Sequence, residues 1–403
     1  MIVHFEPASE EGIASIVRSA ASERVTLAIV GGGTRLGLGN PVRADRTLST
    51  RRLSGIVNYN PAEMTMSALA GTPLSEVEAA LEAKGQMLSF EPMDHRPIFG
   101  ISGEPTIGGV FAANVSGPRR YVAGAARDSL LGVRFVNGRG ELIKAGGRVM
   151  KNVTGLDLVK LMAGSYGTLG ILTEVTFKVL PLPSATATVV VSGLNDAEAA
   201  AVMAEAMAQP VEVSGAVHLP ESVRGRFVGG SLPEGAATVL RLEGLEASIA
   251  MRAEKLAAAL ARFGPVSRLD AVQSKLLWAE IRDVMPYADG TRRPLWRVSV
   301  APSAGHQLVA ALRLQTGVDA FYDWQGGLVW LRMEAEPEAE LLRRYVGALG
   351  GGHAMLIRAD DASRGRIPAF EPQAPAVAQL SERVRAQLDP SRIFNPGRMA
   401  TAA

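Results

Sequence analysis

The chain of 403 residues contains no cysteine. This absence excludes disulfide bonds, thiolate zinc sites, a cysteine nucleophile, an iron–sulfur cluster held by the chain itself and a flavin bonded to a thiol. Any iron–sulfur cluster that works with this protein must therefore lie on a partner. Histidine is also scarce: the five histidines lack the spacing of metal ligands, so we predict no metal site.

An excess of charge of one sign is missing as well, since 42 basic residues face 40 acidic ones. Without a Lys/Arg-rich block interleaved with aromatic residues, a nucleic-acid groove is not expected. No apolar run reaches the ~20 residues of a membrane span, and the first residues lack the pattern of a secretory signal. With 47% hydrophobic and 20% charged residues, the composition indicates a globular protein, which we expect in the cytoplasm.

Glycine, in contrast, is plentiful, with 43 copies that cluster in the first 170 positions. Main chain that must approach a ligand closely needs residues without a side chain. A helix at 9–24, capped by Ser9, precedes a buried strand at 25–30, and this strand opens into a glycine-rich loop that begins at Gly31. The first half therefore has the pattern of a ligand-binding domain.

The rest of this half continues with strands and helices. The predicted elements are a strand at 64–71, a helix capped by Thr72 that ends at Gly85, a hairpin at 131–144 around Asn137 and Gly138, and a strand at 171–180. A hairpin next to strand–helix steps predicts a mixed sheet. Residues 181–183, Pro-Leu-Pro, end the last strand and mark a domain boundary.

The second half alternates strands with amphipathic helices, as in split βαβ folds. The predicted strands are 188–191, 211–219, 237–243, 295–300, 320–323 and 328–333, and the helices are 196–209, 245–263, 306–315 and 336–349. This pattern predicts two such halves on one antiparallel sheet. A helix at 377–388 and the turn-rich residues 393–398 form a C-terminal segment that we expect to dock on the first domain.

The glycine loop at 31–39 does not fit the common nucleotide-binding loop patterns well. A Walker loop needs Gly-Lys-Ser/Thr, but residues 37–40 read Gly-Leu-Gly-Asn. A dinucleotide fingerprint opens a helix, whereas Asn40 and Pro41 block one. What remains is a concave turn of N–H groups that binds an anion, with Thr34 and Arg35 in contact with a pyrophosphate; a purely structural turn is the alternative. Segments 105–114, 152–155 and 164–173 could bring main chain close to a flat ligand.

Three of these segments, in this order and spacing, resemble the vanillyl-alcohol-oxidase or p-cresol methylhydroxylase (PCMH) type flavoproteins. They are residues 29–34, residues 106–109 with 117–120, and residues 164–171 with Thr173. Residues 389–398 are similar to the closing segment of the family's 2-hydroxyacid branch. Within that branch, the chain is most similar to the E-type FAD-binding subunits of glycolate oxidases.

The resemblance implies an α+β, two-domain PCMH-type fold: an FAD-binding domain at 1–183 with subdomains divided near 55–60, a ferredoxin-like antiparallel cap at 184–370, and the docking segment at 371–403. It also implies FAD, which we expect to be non-covalent because Thr34 stands in the loop where a tethering histidine would be and the chain has no cysteine. The implied FAD contacts are Gly31, Gly32, Gly33, Thr34, Arg35, Thr106, Gly108, Gly109, Asn114, Gly124, Asp128, Gly170 and Ile171.

The implied activity is oxidation of glycolate, a small 2-hydroxy acid, to glyoxylate. Electrons would pass to an iron–sulfur subunit and then to quinone, in a complex that also holds a larger flavin subunit and associates with the inner membrane through these partners. Two alternatives stay open: a stand-alone FAD-dependent 2-hydroxyacid dehydrogenase, and a flavoprotein scaffold without turnover.

The sequence departs from the family where catalysis is expected. A His-x-Gly-Asp-Gly-Asn-x-His segment of the family corresponds to residues 323–330, where Trp324 and Trp330 can neither take a proton nor bind a metal. Tyr166 replaces a family glutamate. The sequence therefore names no catalytic base, and we expect the tryptophans to pack at a domain or subunit interface.

Several other residues are candidates for catalysis or ligand binding. We expect His95 at the surface and His218 and His353 in the core. Arg119 and Arg120 fit an anion site and a solvated turn equally well. Tyr287, Arg292 and Arg293 lie between the predicted domains, but their spacing selects none of them.

Overall fold

The computed structural model describes residues 3–147 and 156–400, so the predicted ligand-proximal residues 152–155 lie outside the described part. The strands of the N-terminal half are β1 (Val3–Phe5), β2 (Leu27–Val30), β3 (Arg46–Ser49), β4 (Ile56–Asn60), β5 (Thr65–Leu69), β6 (Gln86–Met87), β7 (Leu130–Val136), β8 (Leu142–Gly146), β9 (Ile171–Lys178) and β10 (Leu180–Pro181). The helices are α1 (Glu10–Glu23), α2 (Leu74–Glu82), α3 (Arg96–Phe99), α4 (Ile107–Ala112), α5 (Arg120–Ala123), α6 (Ala126–Ser129) and α7 (Leu158–Met162).

These strands form two main sheets. A parallel sheet has the order β1-β3-β2, and an antiparallel sheet has the order β4-β5-β9-β7-β8; β6 and β10 make a short antiparallel pair. The predicted mixed sheet is wrong, because the parallel strands β1, β3 and β2 form a sheet of their own, whereas the hairpin β7–β8 belongs to the antiparallel sheet. The change from one sheet to the other falls between Ser49 and Ile56.

Helix starts follow local capping chemistry. The Ser9 hydroxyl accepts a hydrogen bond from the Gly12 N–H at 3.1 Å and so begins α1 as predicted. The predicted Thr72 cap is wrong: its hydroxyl donates to the Leu69 carbonyl at 2.7 Å, and Pro73 takes the position before α2.

The C-terminal half contains β11 (Ala185–Ser192), β12 (Val213–Leu219), β13 (Ala237–Gly244), β14 (Val266–Leu269), β15 (Leu295–Ser299), β16 (Val318–Asp323), β17 (Leu328–Met333) and β18 (His353–Arg358). Its helices are α8 (Asp196–Ala208), α9 (Glu221–Arg224), α10 (Glu246–Leu260), α11 (Ala271–Arg282), α12 (Gly305–Arg313), α13 (Ala339–Ala348), α14 (Asp361–Arg366) and α15 (Pro375–Leu388). Short 3₁₀ turns lie at Val228–Gly230, Met285–Tyr287 and Trp324–Gly326.

These strands form one antiparallel sheet in the order β14-β11-β13-β12-β16-β17-β15-β18. Each half of the sheet has the order 4-1-3-2 of a ferredoxin-like unit, and the halves join where His218 pairs with Tyr322. The predicted ferredoxin-like antiparallel cap is confirmed. The sequence pattern missed β14, a short edge strand without a buried residue, and α11 after it.

The large sheet is buried on both faces. Val189 and Val191 of β11 face α8 and α10, whereas Val190 between them belongs to the core shared with the N-terminal half. Phe111, Phe177 and other apolar residues of the antiparallel five-stranded sheet and its helices meet the C-terminal half in that shared core. The second cavity described below lies along this contact.

The C-terminal segment contacts the parallel sheet. The Leu27 N–H donates to the Ile393 carbonyl at 2.7 Å, and the Asn395 N–H donates to the Leu27 carbonyl at 2.9 Å. The Asp389 carboxylate accepts from the N–H groups of Ile393 and Phe394, which fixes the turn. The domain boundaries at 183 and 370 stay predictions. Across residues 3–147 and 156–400, no helix has the length and apolarity needed to cross a bilayer.

Candidate functional site

The glycine-rich turns of the N-terminal half converge on a cavity that measures about 800 Å³ together with the solvent space at its mouth. Ten of the thirteen predicted cofactor residues line it: Gly31, Gly32, Gly33, Thr34, Arg35, Thr106, Gly108, Gly109, Gly170 and Ile171. Segments far apart in sequence are thus brought to one site, at the end of β2 and the start of α4.

Close packing explains the glycines of the first turn. A Cβ on Gly31 would overlap the Thr106 hydroxyl, and one on Gly32 would overlap the Glu104 carbonyl oxygen. Gly33 has a φ of +80°, which side chains rarely adopt. The turn therefore lies against the segment before α4 and leaves main-chain atoms at the cavity wall.

Arg35 and Arg398 supply the positive charge of this cavity, and Arg398 Nη1 already donates to the Leu36 and Leu38 carbonyls. The Nε of Arg35 is buried and has no hydrogen-bond partner among the described residues, and its Nη2 reaches only the Met93 carbonyl, at 3.4 Å. Burial lowers the pKa of Arg35 to about 10, so the group stays cationic at neutral pH. A buried guanidinium with unused donors at a glycine turn fits the pyrophosphate of a dinucleotide.

Asn395 joins two walls of the cavity. Its Oδ1 accepts from the Ile29 N–H at 2.8 Å, and its Nδ2 donates to the Tyr166 carbonyl at 2.8 Å. The Tyr166 ring is packed edge-on against Phe370, with centroids 5.1 Å apart, and burial raises the pKa of its hydroxyl to about 12. The side chain of Tyr166 therefore forms a neutral wall of the site.

The other three predicted residues lie elsewhere. Asn114 lines a second cavity, and its Oδ1 accepts from the Arg127 N–H at 2.9 Å. Gly124 and Asp128 line neither cavity. Instead, Asp128 Oδ2 accepts a hydrogen bond from the Ala125 N–H at 2.8 Å and holds a local turn. Contact of the thirteen residues with a cofactor stays a prediction.

The second cavity, of about 530 Å³, adjoins the first and shares Ala113 and Tyr166 with it. His95 lines it, so the predicted surface position of His95 is wrong: the ring is 5% exposed and stacks on Phe99 at 6.0 Å. Burial and the charge of Arg35 lower the pKa of His95 to about 3, so the imidazole is neutral near pH 7.

Three charged residues of the second cavity were missed as candidates: Arg282 at the end of α11, Arg297 on β15 and Asp323 at the end of β16. Asp323 Oδ1 accepts from the Trp324 N–H at 2.6 Å, and burial raises the pKa of the carboxyl to about 7. Burial lowers the pKa of Arg297 to about 10. An arginine between the apolar residues Trp296 and Val298 of a predicted strand is the sequence signal that could have identified it.

The tryptophans pack where the two halves of the molecule meet. Trp324 Nε1 donates to the Gly117 carbonyl at 3.0 Å, so its predicted packing at a domain interface is confirmed. Trp330 is buried and lines the second cavity. The solvated-turn reading of Arg119 is wrong, because the buried guanidinium pairs with Glu243 at 2.6 Å. Arg120 lies over the Trp324 ring at 4.7 Å.

Of the two histidines predicted to lie in the core, one is buried there and the other is exposed. His218 is buried and its Nδ1 is 2.9 Å from the Thr238 hydroxyl, as predicted for a core histidine. His353 is exposed, so its predicted core position is wrong, because it begins the edge strand β18. Tyr287 is buried against Phe321, whereas Arg292 and Arg293 are exposed; none of the three lines either cavity.

Comparison with known proteins identifies the family and the cofactor. Residues 2–146 match the FAD binding domain family. Glycolate oxidase subunit GlcE of Escherichia coli K12 is 35% identical over 389 residues, which cover 95% of each chain. The chain belongs to the GlcE family. Over 44% of its length, this GlcE-family chain is also 36% identical to a D-2-hydroxyglutarate dehydrogenase of Xanthomonas citri pv. viticola, of which it covers 36%.

The structural likeness extends over nearly the whole chain. The crystal structure of p-cresol methylhydroxylase matches with a TM-score of 0.69 at 15% identity, covering 98% of this chain and 88% of that one. The predicted PCMH-type α+β fold and the predicted FAD cofactor are confirmed. The GlcE-family chain is thus an FAD-binding protein of an oxidoreductase family, and the cavity with Arg35 is the site that fits the cofactor.

Proposed function

We propose that the chain is the FAD-binding subunit of a glycolate oxidase complex that converts glycolate to glyoxylate. The observation that carries this proposal is the 35% identity to the E. coli glycolate oxidase subunit over 95% of both chains. The two electrons released would pass to an iron–sulfur partner and then to quinone. Because the chain has no cysteine, thiolate-held clusters must belong to another subunit, and a larger flavin subunit completes the complex.

The first cavity would hold the cofactor. The N–H groups of residues 31–33 and the Arg35 guanidinium would bind the pyrophosphate, while Thr106, Gly108 and Gly109 border it from α4. Gly170 and Ile171 line the opposite wall. Bound FAD supplies an acceptor for the hydride of the hydroxyl-bearing carbon.

Several residues of the chain would exclude water from the region between the two cavities and fix its shape. Tyr166 separates the two cavities and is fixed through its carbonyl by Asn395. Trp324 is bonded to the Gly117 carbonyl and closes the contact between the two halves. Because water is excluded at this contact, charges inside it interact more strongly than they would in solvent.

The test is reduction of the bound flavin by glycolate under anaerobic conditions. We expect the flavin absorbance of the isolated, FAD-loaded chain to persist and to bleach once the partner subunits are added. Bleaching of the isolated chain would indicate a stand-alone 2-hydroxyacid dehydrogenase. Persistence of the absorbance in the complete complex would indicate a scaffold without turnover. Co-purification with an iron–sulfur protein is the matching measurement of partnership.

A further inference from the structure

Arg297 is a cation at the second cavity, where the Asp323 carboxyl attracts it electrostatically but forms no salt bridge with it. It lies on β15 between Trp296 and Val298, whose side chains pack into the core on the other face of the sheet. In the described part of the chain, no carboxylate lies within 4 Å of its guanidinium and no acceptor is bonded to it. The group lines the second cavity, which borders the FAD cavity at Tyr166.

The surroundings of Arg297 strengthen its positive field. Arg297 and Arg120 both stack on the Trp324 ring, at 4.9 and 4.7 Å from its centroid. The charge of Arg120 adds to burial in lowering the pKa of Arg297. Burying a charge without a partner is costly, so an anion that enters this cavity gains the full attraction of a poorly solvated guanidinium.

The rest of the cavity restricts what that anion can be. Arg282 is already bonded to Asp283 at 2.7 Å. His95 is neutral, whereas the Asp323 carboxyl, whose pKa burial raises to about 7, is partly ionised near neutral pH and disfavours a ligand with more than one negative charge. Leu328, Trp330 and Ile357 supply apolar walls. A small ligand with one carboxylate and a short, largely uncharged body suits this lining better than a phosphate or a polyanion does.

We propose that Arg297 is the group that binds the carboxylate of a small hydroxy acid in the second cavity. The planar guanidinium can donate two parallel hydrogen bonds to a carboxylate, which fixes the direction of the ligand as well as its position. This inference rests on the proposed function, because glycolate carries one such carboxylate. It assigns to the chain its own ligand site beside the FAD cavity, whichever subunit turns the substrate over.

The test is calorimetric titration of the FAD-loaded full chain with oxamate, which carries one carboxylate and has no carbon-bound hydrogen to give as hydride. We expect one oxamate per chain. Arg297→Met should weaken binding about tenfold to a hundredfold, the range of a charge-assisted hydrogen-bonded contact. Arg297→Lys should lose less, because it keeps the charge without the fork. Arg292→Met, which removes an exposed arginine just before β15, is the matched control and should bind like the wild type.

Each outcome decides the inference. Wild-type protein with a full complement of FAD that takes up no oxamate, or Arg297→Met that binds it unchanged, would overturn it. FAD content and thermal melting of each variant show whether it folds; if Arg297→Met does not, unchanged affinity in Arg297→Lys would count against the inference. Oxamate binding that depends on Arg297, in a complex that glycolate fails to bleach, would refute the proposed function and leave the carboxylate site standing.

Discussion

The Tyr322 hydroxyl donates a hydrogen bond to the Asp196 carboxylate at 2.6 Å, across the seam between the two ferredoxin-like units. Asp196 begins α8 of the first unit, whereas Tyr322 lies on β16 of the second. Arg313 of α12 binds the same carboxylate oxygen at 2.7 Å, and His218 Nε2 is 3.3 Å from the other. The carboxylate therefore reinforces a seam at which the strands share a single residue pair.

Asp196→Asn should destabilise the protein in a pH-dependent way. Burial alone would raise the pKa of Asp196, but hydrogen bonds from His218 and Tyr322 and the charge of Arg313 outweigh it and lower the pKa to about 2. A carboxyl whose folded pKa is below its unfolded pKa of 3.8 stabilises the fold above pH ~4, and this contribution is lost as the pH falls towards 2. We expect a loss of about 2 kcal/mol at pH 6 and roughly half of that at pH 3.

Urea unfolding of wild type and variant at the two pH values measures this difference. Asp361→Asn, which removes an exposed carboxylate, is the control and should change little at either pH. An equal loss from Asp196→Asn at pH 6 and pH 3 would show that the charge of Asp196 is not what stabilises the seam.

Glu91→Gln should loosen the contact between the two halves of the molecule. Arg241 donates to both oxygens of Glu91, at 2.8 and 2.9 Å, and the Arg119 N–H donates to it at 3.0 Å. Removing this charge leaves buried guanidinium groups short of a counterion, for which we expect a loss of about 3–5 kcal/mol. Glu82→Gln on the exposed face of α2 is the control, and chemical unfolding is the measurement. A loss below 1 kcal/mol would contradict the expected role of Glu91.

Gly32→Ala should impair FAD retention. The added methyl group would overlap the Glu104 carbonyl, so the turn must move away from α4 and its N–H groups leave the cavity wall. We expect at least a tenfold weaker affinity for FAD, measured by fluorescence titration of the apoprotein. Gly147→Ala is the matched control, because a Cβ there meets nothing within 4 Å. Equal FAD affinity of the two variants would rule out the close fit of the turn.

Acid denaturation should release all the flavin. The described walls of the FAD cavity contain no histidine, and the chain contains no cysteine. We therefore expect all yellow colour in the supernatant after acid precipitation, measured by its absorbance. Colour that stays in the protein pellet after washing would demonstrate a covalent bond and contradict the expectation.

The sequence predicted the lining of the first cavity better than that of the second, and there is a physical reason. Gly31, Gly32 and Thr106 form short local turns whose chemistry is visible in neighbouring residues, and the spacing of the turns carried the family resemblance. Arg297 and His95 become informative only through burial, which arises when distant strands and loops pack. Asn395 likewise accepts a hydrogen bond from Ile29, which lies 366 residues away in the sequence.

The secondary-structure predictions likewise succeeded where a local pattern was present and failed where long-range packing decides. The apolar run Val189, Val190 and Val191 in β11 predicted a strand, because both faces of that strand are buried. β14 escaped prediction, since it lies at the edge of the sheet and its residues Ser267 and Arg268 are exposed. In the N-terminal half β2, β5, β7, β8 and β9 were predicted as strands, whereas β1, β3 and β4 were missed, and the separation into two sheets depends on long-range pairing that no local pattern records.

Asn395 has a consequence for how the holoprotein is made. The residue that joins Ile29 to Tyr166 lies 366 residues from Ile29 in the sequence. Bringing such distant segments together costs loop-closure entropy before the contact can stabilise the fold. A truncated polypeptide that stops before Asn395 therefore lacks the side chain that links these two walls of the cavity.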